Sequence, residues 1–163
     1  MSTKDFSNVQ EHLVADVLGD NWKVVAGSGA APTVPGDVIG DDWLLECKTH
    51  VEPTTKIKFM EKHWVKIKIE SVVKHRSPAL VTDNGTQKSD HTWVLLRTRN
   101  VPDISAIKLI DLNIKATTNL NLIEADLNKA IKNYPGEICG IKCKLDCDDC
   151  IVMKLSHFAE MVG

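Results

Sequence analysis

From Ser7 to Leu18 the apolar residues Val9, Leu13, Val14, Val17 and Leu18 recur at helical spacing, and Ser7 stands where an N-cap hydroxyl belongs. The pattern predicts an amphipathic first helix, ended by Gly19-Asp20-Asn21. Trp22-Lys23-Val24-Val25-Ala26 then reads as a short strand that leads into the small-residue loop Gly27-Ser28-Gly29-Ala30-Ala31-Pro32. Beyond it, Gly36-Asp37-Val38-Ile39 and Trp43 to His50 flank Gly40-Asp41-Asp42, a turn-forming triplet of hairpin length. A β-hairpin is expected there.

The stretch from Phe59 to Lys74 places Met60, Trp64, Ile67 and Ser71 on one side of a helix and Lys58, Lys62 and Lys66 on another, although Val65 to Ile69 also alternates as a strand would. Ala79 to Thr82 and Thr92 to Leu96 read as buried central strands separated by the polar segment Asp83 to Asp90. Ile107 to Leu112 fits either a strand or a short helix, and Leu120 to Ile131 fits a helix. Glu137 to Leu145 and Cys150 to Leu155 form a second candidate hairpin around Asp146-Cys147-Asp148-Asp149, with Ser156 placed to cap a last turn through Met161. This order of elements predicts a mixed α/β sandwich with a central sheet.

Length and composition fit that expectation: 163 residues, 43% hydrophobic and 26% charged, suit one globular domain spanning residues 1–163. No apolar run is long enough for a bilayer, and the N-terminal residues lack a signal-peptide pattern, so a cytoplasmic protein with no membrane partner is expected. The five cysteines are an odd number, four of them crowded between Cys139 and Cys150, which predicts reduced thiols and not a secreted disulfide framework. A net charge of −2 argues against a nucleic-acid partner only if charge is evenly spread. It is not. Between Thr54 and Arg76, Lys56, Lys58, Lys62, Lys66, Lys68, Lys74 and Arg76 stand against Glu61 and Glu70 alone, the footprint of a phosphate-binding face or of a solvated helix.

The chemistry concentrates in the first hairpin. With Asp41-Asp42 at its tip, Asp37 falls opposite Glu46, and strand alternation puts Glu46 and Lys48 on one face with Leu45 and Cys47 on the other. Two carboxylates and an ammonium on a shared face suit phosphodiester hydrolysis, which needs a divalent cation on one or two carboxylates and positive charge near the phosphate. Spacing alone does not separate this from the exposed face of an edge strand.

In this order, Glu11 on a first helix, Ser28 in a glycine-rich loop, Asp37 at a hairpin start and Glu46-Cys47-Lys48 on its second strand, the chain resembles the PD-(D/E)xK nuclease superfamily, and within it the archaeal and phage type of Holliday-junction resolvase. The likeness covers roughly Lys4 to Thr82, and the family's proline directly before the aspartate is here Gly36. It implies a restriction-endonuclease-like core, a central mixed β-sheet flanked by helices, and a metal-dependent endonuclease. By that resemblance Asp37, Glu46 and the Cys47 carbonyl bind Mg²⁺ or Mn²⁺ with Glu11 completing the shell. Lys48 assists at the reacting phosphate, Ser28 touches it from the loop, and Lys56, Lys58, Lys62 and Lys66 follow the DNA backbone. The partners implied are a four-way junction or other branched DNA and a second copy of the chain, with a phage origin and action in the host cytoplasm. Two alternatives stay open: a repair or restriction nuclease of the same superfamily acting on linear or single-stranded DNA, and a DNA-binding module without catalysis.

Cys139, Cys143, Cys147 and Cys150, with His157 beyond, supply enough soft ligands for a tetrahedral zinc, but only Cys147 and Cys150 have the usual two-residue gap. Free, partly buried thiols are the expectation.

Overall fold

The nearly continuous apolar runs of the sequence are strands covered on both faces, as such runs are when helices pack against a sheet from each side. The structure is a computed structural model and describes residues 3–25, 36–115 and 118–163, apart from the side chains of Thr3 and Lys4. In chain order its elements begin with α1 (Thr3–Leu18), β1 (Lys23–Val24), β2 (Val38–Ile39), β3 (Trp43–Lys48), β4 (Lys56–Met60) and α2 (Glu61–Val73). They continue with β5 (Ser77–Asp83), β6 (Thr92–Arg97), β7 (Ile107–Ile110), β8 (Asn119–Ile123) and α3 (Glu124–Lys132). The chain closes with β9 (Ile138–Leu145), β10 (Asp148–Lys154) and α4 (Leu155–Val162).

Eight strands form one sheet in the order β1-β2-β3-β5-β6-β10-β9-β7, in which β3 runs parallel to β5 and β7 parallel to β9 while the other pairs are antiparallel. β4 and β8 make a separate antiparallel pair. Alternation along each central strand divides the core. Leu44, Leu80, Leu95 and Val152 pack with Ile57 and Phe59 of β4, Trp64 and Ile67 of α2 and Leu127 of α3. Leu45, Val81, Leu96 and Ile151 pack on the other face with Val14 of α1 and Phe158 of α4. The fold is α/β, a large mixed central sheet flanked by helices. Among the described residues no helix is long and apolar enough to cross a membrane.

The sequence-based boundaries need four corrections. α1 starts at Thr3, so Ser7 lies inside the helix and is not its cap. The segment expected as a helix from Phe59 begins with β4, which places Lys58 on a strand; the helix starts only at Glu61, and Val65 to Ile69 is helical. Leu120 to Ile131 divides into β8 and α3. Ser156 does not cap the last helix, because Lys154 occupies the N-cap position and α4 runs from Leu155. The middle two share a cause: β4 and β8 exist through each other, Ile57 facing Leu122 and Phe59 facing Leu120 across a long separation in sequence. Asn119 of β8 also accepts the Glu61 amide hydrogen bond at 2.9 Å, so α2 takes its start signal from a distant strand.

One buried polar group ties this second layer to the main sheet. Glu124, at the start of α3, accepts from Trp93 Nε1 at 2.8 Å and from Asn84 Nδ2 at 3.2 Å, and its Oε1 lies 3.0 Å from His91 Nδ1. Its backbone amide donates to the Thr55 carbonyl at 3.1 Å. A carboxylate at a helix N-terminus with several donors offsets its own desolvation.

Candidate active site

The β2–β3 hairpin turns at Asp41-Asp42, with Gly40 N–H donating to the Trp43 carbonyl at 3.0 Å. Val38 pairs with Leu45 and Ile39 with Leu44, so continuing the register sets Asp37 opposite Glu46 as the sequence implied. Asp37 is held on three sides. Its N–H donates to the Leu45 carbonyl at 2.8 Å, its carbonyl accepts from Val25 N–H at 2.9 Å, and its Oδ2 accepts from Cys47 N–H at 2.8 Å. Cys47 therefore turns its amide to Asp37 while its thiol enters the core on the opposite face, beside Leu45.

Glu46 and Lys48 share the face of β3 that looks towards α2. The Glu46 side chain is only 2% exposed, and its Oε2 lies 2.8 Å from Lys66 Nζ and 3.7 Å from Lys48 Nζ. From the other side α1 delivers Glu11, also buried, within hydrogen-bonding reach of Asp37, which in turn reaches Glu46. Gln10, its neighbour on α1, donates through Nε2 to the Lys48 carbonyl at 2.5 Å, and its buried Oε1 has no partner among the described residues.

Crowding three carboxyl groups in a half-closed site separates their affinities for protons. Burial, then the hydrogen bond and charge of Glu46, push Asp37 from 3.8 up to about 8. Burial also raises Glu11, against the hydrogen bond with Asp37. Glu46 goes the other way: burial alone would raise it, but hydrogen bonds with Asp37 and Lys66 and the charges of both lysines bring it below its ordinary value. One carboxylate is kept ionised by the lysines while its partner retains a proton. Burial and the neighbouring carboxylates raise the Cys47 thiol far above its usual range, so it offers no nucleophile.

The structure gathers Glu11, Asp37, Glu46, Cys47 and Lys48 at the C-terminal end of β3. Ser28 lies outside the described residues. Lys56 and Lys58 stand exposed on β4 and Lys62 exposed on α2. Lys66 is different. Expected as a backbone contact, it points into the site and also pairs with Glu70 Oε1 at 3.1 Å. Lys68, part of the same basic run, is bound to Asp146 and Asp148 at 2.6 and 2.7 Å.

Sequence reasoning missed Glu70, which accepts from Gly36 N–H at 2.7 Å, and Gln10. It also left out His63, which burial and then the Lys48 charge push down to about 4, keeping the ring neutral at physiological pH. The signal was present: His63, Lys66 and Glu70 fall at i, i+3 and i+7, one polar stripe beside the buried stripe of Trp64, Ile67 and Ser71.

The cysteines do not converge. Cys139, Cys143 and Cys150 are buried in the core, Cys143 directly opposite Cys150, with burial pushing the Cys143 thiol up to about 12. Cys147 is exposed in the β9–β10 turn at φ +63°, and His157 Nδ1 accepts from Cys139 N–H at 3.1 Å.

The donor set suits a hard divalent cation. Glu11, Asp37 and Glu46 supply only oxygen, and a cation beside Asp37 would offset the burial, and then the neighbouring Glu46, that raise its affinity for a proton. Among the described residues no group of three or more His, Cys, Asp or Glu stands in ligating geometry, the carboxyls being held instead by hydrogen bonds and by Lys66. Comparison with protein-family models, with curated proteins and with solved structures finds no match.

Proposed function

We propose that the chain is a Mg²⁺- or Mn²⁺-dependent endodeoxyribonuclease with a restriction-endonuclease-like core, acting on branched DNA of the four-way-junction kind as a homodimer. The observation that carries the catalytic part is the convergence of Glu11, Asp37 and Glu46 with Lys48 and Lys66 at one strand end. The preference for branched DNA and the dimer rest on the resemblance described above.

Asp37 and Glu46 would hold the ion, with Glu11 and the Cys47 carbonyl beside them. Bound there, a divalent ion supplies Lewis acidity and a lowered pKa for a coordinated water. Lys48, with its side chain 42% exposed, stands at the solvent side of the carboxylates and presents positive charge to the phosphate as it gains negative charge. In the hydrolysis a water oxygen–phosphorus bond forms, one phosphorus–oxygen ester bond breaks, and the water proton ends on the departing sugar oxygen. Lys56, Lys58 and Lys62 position the backbone without reading bases.

The test is to offer the purified protein a four-way junction, a linear duplex and a single strand, each with Mg²⁺ or EDTA, beside Glu46→Ala. Cleavage of the junction that needs Mg²⁺ and Glu46 is expected. EDTA-resistant cleavage overturns the metal-dependent mechanism, and no cleavage of any substrate overturns the nuclease. Equal cutting of junction and duplex removes the branched-DNA preference and leaves a nuclease for linear DNA.

A further inference from the structure

Gly36 precedes β2, and among the described residues its amide has no strand partner. Its φ is +69°, and a Cβ built there would lie 2.6 Å from Leu44 Cδ1, so the backbone is packed against the buried Leu44 side chain of β3. The partner that amide finds is Glu70 Oε2 of α2, at 2.7 Å. The other Glu70 oxygen takes Lys66, one helical turn earlier, and Lys66 takes Glu46. Asp37, next to Gly36, reaches Glu46 and closes a ring through β3, α2 and the start of β2.

Helix stabilisation does not explain this pair. Lys66 lies N-terminal to Glu70, the weaker of the two orientations for an i, i+4 ion pair. Each oxygen of Glu70 is instead directed at a different component of the acidic site.

We propose that Glu70 is a positioning residue. One oxygen fixes the peptide that carries Asp37, and the other holds Lys66 against Glu46, so that α2 sets the spacing between the two carboxylates. This rests on the reading that Asp37 and Glu46 share a divalent ion. Glu70 touches neither ion nor substrate and acts through Gly36 and Lys66.

Three measurements on the full chain test it: hydrogen exchange at the Gly36 amide by NMR, Mn²⁺ affinity by calorimetry, and kcat against KM for DNA cleavage. Glu70→Ala should expose Gly36, with at least ~10-fold faster exchange at that amide and not across β3, and should weaken Mn²⁺ by roughly 10-fold, the usual cost of losing a group that orients metal ligands. kcat should fall while KM stays near the wild-type value. Glu70→Gln keeps an oxygen for Gly36 but loses the negative charge that faces Lys66, so it should restore Gly36 protection and recover only part of the Mn²⁺ affinity.

Wild-type exchange and Mn²⁺ affinity in Glu70→Ala overturn the positioning role, as does exchange raised uniformly through β3, which would report general loosening. Failure of the metal reading is distinguishable, because it shows in the wild type as absence of Mn²⁺ binding.

Discussion

Lys66 Nζ lies 2.8 Å from Glu46 Oε2, whereas Lys48, on the same strand as Glu46, stands 3.7 Å from that oxygen. The helix supplies the closer counter-ion although both lysines are about half exposed, 52% for the Lys66 side chain and 42% for Lys48. The two lysines should therefore fail differently. Lys66→Ala leaves a buried carboxylate short of its closest partner and should lower stability by about 1–3 kcal/mol. Lys48→Ala should change stability by under ~0.5 kcal/mol while abolishing cleavage. Urea midpoints and cleavage rates of the two variants check this, and equal losses of stability would contradict it.

A pH signature follows from Asp37. Its affinity for a proton is raised in the folded chain, so its contribution to stability is present in acid and is lost as pH climbs from 3.8 to about 8. Glu46, shifted downward, contributes in the opposite sense and below the usual carboxylate range. In the metal-free protein the Tm advantage of wild type over Asp37→Asn should shrink between pH 5 and pH 8.5. Added Mg²⁺ should raise Tm more at the higher pH. A flat difference with a pH-independent Mg²⁺ effect would rule out the retained proton.

Gly36→Ala should be costly for two reasons, the positive φ and the 2.6 Å approach to Leu44. A loss of roughly 2–4 kcal/mol is expected in urea unfolding. A change below ~1 kcal/mol would mean that the peptide before Asp37 is not so confined.

The cysteines give a chemical test of the core. Of the five, Cys147 alone is exposed, while Cys47, Cys143 and Cys150 are buried with thiols raised above their ordinary range. Iodoacetamide should modify Cys147 quickly in the native protein and the others only after unfolding. Native labelling of Cys143 or Cys150 at the rate of Cys147 would contradict the packing between β9 and β10.

What was legible in the sequence was local. The first hairpin could be read because its turn, register and alternation lie within a dozen residues, and so Asp37, Glu46 and Lys48 emerged together. The β9–β10 hairpin could be read for the same reason, its turn being only Asp146-Cys147, both at positive φ. β4 and β8 were hidden because each depends on a partner far along the chain, and because Lys56 to Met60 runs without a break into the helical spacing of α2. Glu70 was hidden differently. Its role requires knowing that α2 lies over β3, and on a helix an exposed-looking glutamate four residues after a lysine ordinarily signifies nothing more than a surface pair.

Glu124 is the corresponding group in the structural half of the molecule. Losing its contacts to Trp93, Asn84 and His91 leaves buried donors unpaired, and Glu124→Ala should cost about 2–4 kcal/mol with cleavage per folded molecule unchanged. Far-UV melting beside an activity assay checks it. Activity lost without loss of stability would place Glu124 in the site instead.

The most direct test of the central claim is single-turnover cleavage of end-labelled junction DNA by wild type and by Glu46→Gln, each with Mg²⁺ and with Ca²⁺. Cleavage by wild type in Mg²⁺, with Glu46→Gln slower by at least ~10³-fold though still folded, is the expected result, since a metal ligand is lost and its shape kept. Cleavage by Glu46→Gln at the wild-type rate would show that Asp37, Glu46 and Lys48 are not where the chemistry occurs.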